Sequence, residues 1–407
     1  MSLFYKKTIK LLFFYFSVKL IICFFSWILD FNFLGILKLE NVATSDLSLN
    51  DLYYPIRDKT NGSDLDNIIG EKVIVINTGS IDTGCFRLNL ANLLLSLKTY
   101  NPKIIAIDHT FESEDKLGTE ELSYVINASK NIILAKKENT KSTLILGKQV
   151  EYGSVDFPDD QHTIRRYYSY PTTFAAKVAE KISNSSINYN FPADSFFINY
   201  VFTSKDVLTV NDTSLFLRLK KIYKIEAADI LNRDSIALEF LKKYASNNAL
   251  LLGHLGYTNS NFNPENDIED KYAVPCDSSM VNRQKTMSGL MIHVNAIENL
   301  INKENRFFCF SDNLLFKCLI EILILLFLWF LLYFNYGKVA NVFILFLFSL
   351  PVLYIVLFLM HKFNVYIEIG LTLLQLLVYE ELTELIEPVY EKISKFKLLK
   401  KFDLNDV

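Results

Sequence analysis

The stretch EKVIVINTGSIDTGCFRLNLANLLLSLKTYNPKIIAIDHTF, residues 71–111, decides the fold class of this 407-residue chain. Val73–Ile76 and Ile104–Ile107 are short apolar runs, typical of strands that are buried on both faces. Between them, a Leu-rich segment from Cys85 to Thr99 has the length of a helix. Strand, helix and strand in this order predict two parallel strands, side by side, joined by a right-handed crossover.

The alternation continues beyond this stretch. A second helical segment at residues 120–129 is followed by NIILA at residues 131–135, which is predicted to be a third buried strand. Strands that alternate with helices are typical of a doubly wound sheet. We therefore expect an α/β domain with a mainly parallel sheet.

Polar side chains follow each of the first two strands. Asn77 and Asp82 come after the first strand, Asp108 and His109 come after the second, and Arg87 begins the intervening helix. Ligands of open α/β sheets bind outside the carboxyl ends of the strands, so these five residues are predicted to bind an anion or a small polar ligand. The alternative is that Asp82 only caps a helix and Asp108 only holds a loop.

Apolar residues concentrate near the N-terminus and after Asn313, and the mean hydropathy is +0.20. This distribution predicts a four-helix transmembrane part, with one N-terminal and three C-terminal helices, around an extracytoplasmic domain. The predicted segments are a cytoplasmic N-terminus at 1–10, membrane helices at 11–29, 313–334, 339–360 and 365–379, the outer domain at 39–306, and a cytoplasmic tail at 380–407. Four crossings place the lysines near both termini in the cytoplasm, in agreement with the positive-inside rule.

Two charged residues fall inside the predicted membrane helices. Lys19 and Glu321 lie near the middle of the first and second helix, where a charged side chain usually faces a partner. We hypothesise that they form an intramembrane pair that couples the two ends of the outer domain. The alternative is that the two side chains extend towards opposite membrane interfaces.

Composition and spacing argue against several classes of function. The net charge is -3 and no basic stripe is present, so nucleic acid is not expected as a partner. The five Cys and five His lack metal-ligand spacing, so neither a metal site nor a cofactor is predicted, and His254 and His293 are interpreted as structural. No nucleophile or base is placed by the sequence, so catalytic residues are not predicted and we expect no enzyme activity.

Five segments, in this order, resemble the second class of CHASE domains, the cyclase/histidine kinase-associated sensory extracellular domains. They are VIVINTGSIDTG, YNPKIIAIDHTF, NIILA, LLLGHLG and MSGLMIHVNAIENLI, and the resemblance covers about residues 46–302. It implies a multi-pass sensor in the bacterial inner membrane, whose large periplasmic domain perceives an unidentified extracytoplasmic ligand. Residues 380–407 carry no kinase or cyclase motif, so the resemblance further implies a separate cytoplasmic signalling protein as the output.

We carry two alternatives to the sensor. One is an envelope structural or assembly protein that uses the outer domain as a docking module, and the other, ranked last, is an extracytoplasmic enzyme. The basic tail predicts contact with membrane lipid. A homodimer is left open by the sequence.

Overall fold

The computed structural model of the chain separates into two compact units, Asp58–Phe307 and Met1–Arg57 with Phe308–Val407. Each unit is described by itself. The structure describes residues 8–18, 20–21, 72–112, 117–138, 140–158, 164, 166–184, 187, 194–202, 207–209, 222–255, 271–272, 274, 287–302, 307–309, 314–334, 338–363, 365–366, 379, 382–384 and 386–392.

The described residues of the first unit form eleven strands and six α-helices. The strands are β1 Val73–Asn77, β2 Ile104–Ile107, β3 Ile132–Lys136, β4 Glu151–Ser154, β5 Arg166–Tyr168, β6 Ser195–Phe197, β7 Val207–Thr209, β8 Ile222–Glu226, β9 Ala249–Gly253, β10 Lys271–Tyr272 and β11 Met287–Ser288. The helices are α1 Phe86–Lys98, α2 Thr119–Asn127, α3 Phe174–Ser183, α4 Ala227–Leu231, α5 Ser235–Tyr244 and α6 Gly289–Ile301.

Seven of these strands form one sheet in the order β4-β3-β2-β9-β1-β8-β7, and every pairing in it is parallel. The predicted α/β domain with a mainly parallel sheet is therefore confirmed. The expectation that β1 and β2 lie side by side is wrong, because β9 lies between them. Ile76 of β1 is aligned with Leu252 of β9, and Leu252 is aligned with Ile107 of β2. The crossover through α1 leaves one strand position open between β1 and β2, and β9 occupies that position.

Alternation along the strands assigns the helices to two faces of the sheet. Ile74, Ile76, Ile105 and Ile107 are buried in one core cluster with α1, α2, α4 and α5. The intervening residues, such as Val75, face the opposite side because side chains alternate along a strand. On that side α3 packs against β3 and β4, and α6 packs against β9 and α3. The result is a three-layer arrangement in which the central strands are buried on both faces.

The second unit contains apolar helices from both ends of the chain. Its described helices include an N-terminal helix over Thr8–Val18, α7 over Leu314–Phe334 and α8 over Lys338–Phe363. Among the described residues, the helical window Phe343–Met360 is the one long and apolar enough to cross a membrane. The apolar stretches Thr8–Val18 and Cys318–Leu331 are shorter, so the four-helix transmembrane part is not confirmed.

The segment predicted as a fourth membrane helix, residues 365–379, begins as a strand. β12, Phe308–Cys309, pairs in parallel with β13, Val365–Tyr366. The predicted helix from residue 365 does not account for this strand. A strand forms here because Val and Tyr favour extended backbone and find a pairing edge in β12. Residues 367–378 lie outside the described part of the chain.

Candidate functional site

Asn77 connects the carboxyl ends of three neighbouring strands. Its Oδ1 accepts hydrogen bonds from the backbone N–H groups of Gly79 at 3.1 Å and Leu255 at 2.9 Å. Its Nδ2 donates to Oε2 of Glu226, at the end of β8, at 2.8 Å. The side chain is buried and both of its ends are used within the protein, so Asn77 holds β1, β8 and the segment after β9 together.

His109 lies at the same edge of the sheet, directly after β2. Its Nε2 is 2.7 Å from Oγ1 of Thr78, and the edge of its ring packs on Phe86 with 4.9 Å between ring centroids. Burial, together with the neighbouring His254, lowers the pKa of His109 to about 4. The imidazole is therefore neutral at pH 7 and forms one hydrogen bond with the threonine hydroxyl.

Asp108 is brought close to a histidine that the sequence pattern assigned to the core. Oδ1 of Asp108 lies 3.8 Å from Nε2 of His293, on α6. Gly253 permits this approach, since a Cβ added there would be 3.2 Å from Cβ of Asp108 and 3.0 Å from Leu290. Burial lowers the pKa of His293 to about 3, so the contact is not an ion pair at neutral pH.

His293 is enclosed by aromatic rings and paired with a buried tyrosine. Its ring stacks on Phe157 at 5.3 Å and packs on Phe174 at 5.2 Å. Nδ1 is 2.7 Å from Oη of Tyr167, and that Oη also accepts the N–H of Ala175 at 3.3 Å. Burial raises the pKa of Tyr167, so its hydroxyl stays protonated at neutral pH. The second ring nitrogen of His293, Nε2, faces Asp108.

The burial of His293 predicts a loss of stability in acid. Its pKa is about 3 in the folded protein against 6.5 for an exposed histidine, so between these values the unfolded chain binds a proton that the native chain does not. Stability is therefore highest above pH 6.5 and falls as the pH is lowered, by up to about 1.4 kcal/mol per pH unit from this residue. In His293→Phe, the slope of unfolding free energy against pH, measured by hydrogen exchange between pH 6.5 and pH 4, should be shallower. An unchanged slope would contradict this assignment.

The other two predicted site residues do not join this cluster. Asp82 is exposed, and its Oδ1 accepts the N–H of Gly84 at 3.1 Å, so it acts as the cap of a short 3-10 turn. Arg87 is buried, and it donates to Oγ1 of Thr119 at 2.7 Å and to Oγ1 of Thr143 at 2.8 Å. It thereby ties the start of α2 to the loop after β3.

A cavity of about 350 Å³ opens at the carboxyl ends of β2 and β3, beside Tyr152 of β4. It is lined by Thr110, Phe111, Glu112, Leu134, Ala135, Lys136, Thr140, Lys141, Ser142 and Tyr152. None of the five predicted ligand-binding residues is among these described lining residues, so that assignment stays a prediction. Ligands of open α/β sheets bind outside the carboxyl ends of the strands, and this rule applies to β3 as well as to β1 and β2. Lys136, at the end of β3, is the residue in the sequence that could have indicated this cavity.

Hydrogen bonds hold the two walls of the cavity together. The backbone N–H of Thr143 donates to the carbonyl of Phe111 at 2.7 Å, and its hydroxyl contacts the same carbonyl at 2.9 Å. Arg87 lies behind this contact, with its guanidinium carbon 5.9 Å from the centre of the Phe111 ring. Arg87 is therefore a positioning residue for the cavity. Within the described part of the chain, no three His, Cys, Asp or Glu side chains are grouped so that they could hold a metal ion.

Comparison with known proteins assigns the family. The model of the CHASE2 domain matches residues 24–334, which is more than half of the chain. No curated protein and no solved structure matches the chain. The match contains the whole parallel sheet and the cavity at its edge, and it extends through α7. The chain therefore belongs to the CHASE2 domain family of extracellular sensor domains.

Proposed function

We propose that the protein is a transmembrane sensor of the bacterial inner membrane. Its α/β domain lies outside the cytoplasm, responds to a ligand, and signals through the membrane helices to a separate cytoplasmic protein, with no catalysis of its own. Membership of a sensor-domain family supports the sensing role. The apolar helix over Phe343–Met360 supports attachment to the membrane.

The contact between the two ends of the chain carries this proposal. Nζ of Lys10, in the N-terminal helix, lies 2.6 Å from Oε1 of Glu387. The ring of Tyr390 packs on Phe13 at 5.1 Å and on Phe14 at 5.5 Å between centroids. The segments that precede and follow the α/β domain therefore meet in one helical unit. In the proposed mechanism, a signal from the α/β domain converges on this contact.

The strength of the contact suits a switch. The side chains of Lys10 and Glu387 are 36% and 46% exposed, so the pair contributes only about 0.2–1 kcal/mol. A ligand that binds one state of the outer domain slightly better than another can shift such a weak contact. The pair hypothesised from the sequence, Lys19 and Glu321, concerns side chains outside the described part of the structure.

Two exposed side chains near α2 support the alternative of an envelope docking module. Tyr124 on α2 is 74% exposed and Ile145 is 79% exposed. The backbone N–H of Ile145 donates to Oγ of Ser123 at 3.3 Å, and its carbonyl accepts from Nδ2 of Asn127 at 2.9 Å. Ile145 is therefore fixed beside α2, where its side chain and that of Tyr124 present apolar surface to a partner.

Photo-cross-linking of the full-length protein in cells distinguishes the two proposals. A p-benzoylphenylalanine residue is placed at Lys392 in the tail, at the exposed Tyr124 on α2, or at Lys130 as an exposed control on the outer domain. The sensor proposal predicts a specific adduct from position 392 with a cytoplasmic kinase, cyclase or related signalling protein. It predicts none from position 130.

Two outcomes of this experiment contradict the sensor proposal. One is an adduct from position 124 with an envelope protein while position 392 yields none. The other is an adduct from position 392 with a periplasmic protein, which would place the tail outside the cytoplasm. Either result would favour an assembly role for the outer domain.

A further inference from the structure

We propose that the cavity at the carboxyl ends of β2 and β3, beside Tyr152 of β4, binds a small organic anion that carries an apolar group. This inference deepens the proposed function, because the anion would be the stimulus that the sensor perceives. The binding itself does not depend on signalling and is tested separately. The charges, the apolar walls and the position of the cavity support this binding.

The lining of the cavity carries an excess of positive charge. Lys136 and Lys141 contribute two ammonium groups, while Glu112 is the one acid among the described lining residues. Neither lysine forms an ion pair with a carboxylate in the described part of the chain, and Nζ of Lys136 lies over the ring of Tyr152 at 5.9 Å. Two cations without acidic partners at a concave surface attract an anion, since a partly enclosed site is screened less than open solvent.

A third cation lies behind the wall of the cavity. Arg87 is buried and held by the hydroxyls of Thr119 and Thr143, with its guanidinium against Phe111. Arg87 is not among the lining residues, and it acts on the cavity by holding Thr143 and Phe111 in place. The anion is therefore expected to contact the two lysines of the lining.

The remaining lining residues indicate an apolar group on the anion. Phe111, Leu134, Ala135 and Tyr152 offer apolar and aromatic surface, and the hydroxyls of Thr110 and Ser142 offer hydrogen-bond donors. Apolar walls with a few placed polar groups are the usual lining of small-molecule sites. The volume of about 350 Å³ lies near the lower end of the range for such sites, which suits a compact ligand.

Three probes of the same shape and different charge test this inference. They are the 4-fluoro derivatives of benzoate, benzamide and benzamidine, which are anionic, neutral and cationic. Binding is measured by fluorine NMR line broadening, with the full chain in phosphatidylcholine nanodiscs and empty nanodiscs as the blank. We expect 4-fluorobenzoate to bind most tightly and 4-fluorobenzamidine least. The double variant K136Q/K141Q should weaken 4-fluorobenzoate by about tenfold or more, the loss expected from two charge-assisted contacts.

The matched control is K130Q/K148Q. These lysines are exposed and lie before β3 and β4, at the opposite edge of the sheet from the cavity, so the change in net charge is the same. This control should leave the affinity for 4-fluorobenzoate unchanged, whereas Glu112→Gln should increase it. The inference is overturned by equal binding of the three probes, by equal effects of the two double variants, or by weaker binding in Glu112→Gln. Failure of the sensor proposal would appear instead in the cross-linking experiment, and it would leave the binding of 4-fluorobenzoate unchanged.

Discussion

Replacing Asn295 and Asn299 together by alanine is expected to open the central sheet of the outer domain. Oδ1 of Asn299 accepts the N–H of Asn199 at 2.7 Å, and its Nδ2 donates to the carbonyl of the same residue at 2.9 Å. Asn295 pairs with the N–H and carbonyl of Phe202 in the same way, at 2.8 and 3.0 Å. Two side chains on α6 thus form the backbone hydrogen bonds that a neighbouring strand would otherwise supply to the buried segment 198–202.

The expected effect is large because every group involved is removed from water. Asn295 and Asn299 are both 0% exposed, and α6 is buried from Gly289 to Leu300. Each substitution leaves one backbone N–H and one carbonyl without the amide partner, at a cost of about 1–3 kcal/mol per group. The sum for both sites is comparable with the whole stability of a typical domain, about 5–15 kcal/mol.

Hydrogen–deuterium exchange of the full-length protein measures this effect. Amides of β1 and β9 should lose their protection in the double variant, since these strands lie at the centre of the sheet. The control is Asn92→Ala, the same chemical change at an exposed position of α1, which should leave exchange unchanged. Retained protection of β1 and β9 in the double variant would mean that water or other groups replace the amides without cost.

Substitution of Gly118 by alanine is expected to force α1 and α2 apart. Gly118 precedes α2 with φ +80, a conformation that residues with a Cβ rarely adopt. A Cβ there would lie 2.3 Å from the backbone N and 2.6 Å from the Cα of Leu88, in α1. Backbone strain and overpacking together should cost about 2–5 kcal/mol.

The Gly118→Ala substitution should also disturb the residues that form the cavity. Thr119, the next residue, accepts a hydrogen bond from Arg87, which also holds Thr143, the neighbour of Ser142 in the cavity lining. We therefore expect Gly118→Ala to lower the thermal midpoint of the outer domain and to increase exchange in residues 140–146. Gly84→Ala is the control, because its Cβ would meet only Asp82, at 3.6 Å, and should change stability by less than about 0.5 kcal/mol. Equal midpoints for the two variants would contradict the steric argument.

Residues 71–136 show how much of the fold can be predicted from local sequence patterns. The apolar runs ending at Ile76 and Ile107, the Leu-rich segment between them, and NIILA all form the predicted element types. These predictions succeeded because burial on both faces of a parallel strand requires continuous apolar residues, and this requirement is visible in a few consecutive positions. The order of the strands in the sheet cannot be deduced from a few consecutive positions in this way.

The candidate site illustrates the same limit. Asn77, Asp108 and His109 lie at the carboxyl edge of the sheet, as the strand–helix–strand pattern indicates. Arg87 lies near the same edge but does not contact these three residues, because its guanidinium is bound to Thr119 and Thr143 instead. The cavity at β2, β3 and β4 was missed because its walls come from loops whose approach depends on the order of the strands.

Local composition was thus sufficient for the α/β class, the parallel direction of the strands and the edge at which polar groups gather. The insertion of β9 between β1 and β2, the pairing of α6 asparagines with the backbone of residues 199 and 202, and the cavity lined by Lys136 and Lys141 required the folded chain. The physical reason is that each of these features joins segments far apart in the sequence. Such contacts are selected by the packing of whole layers, and not by the preferences of neighbouring residues.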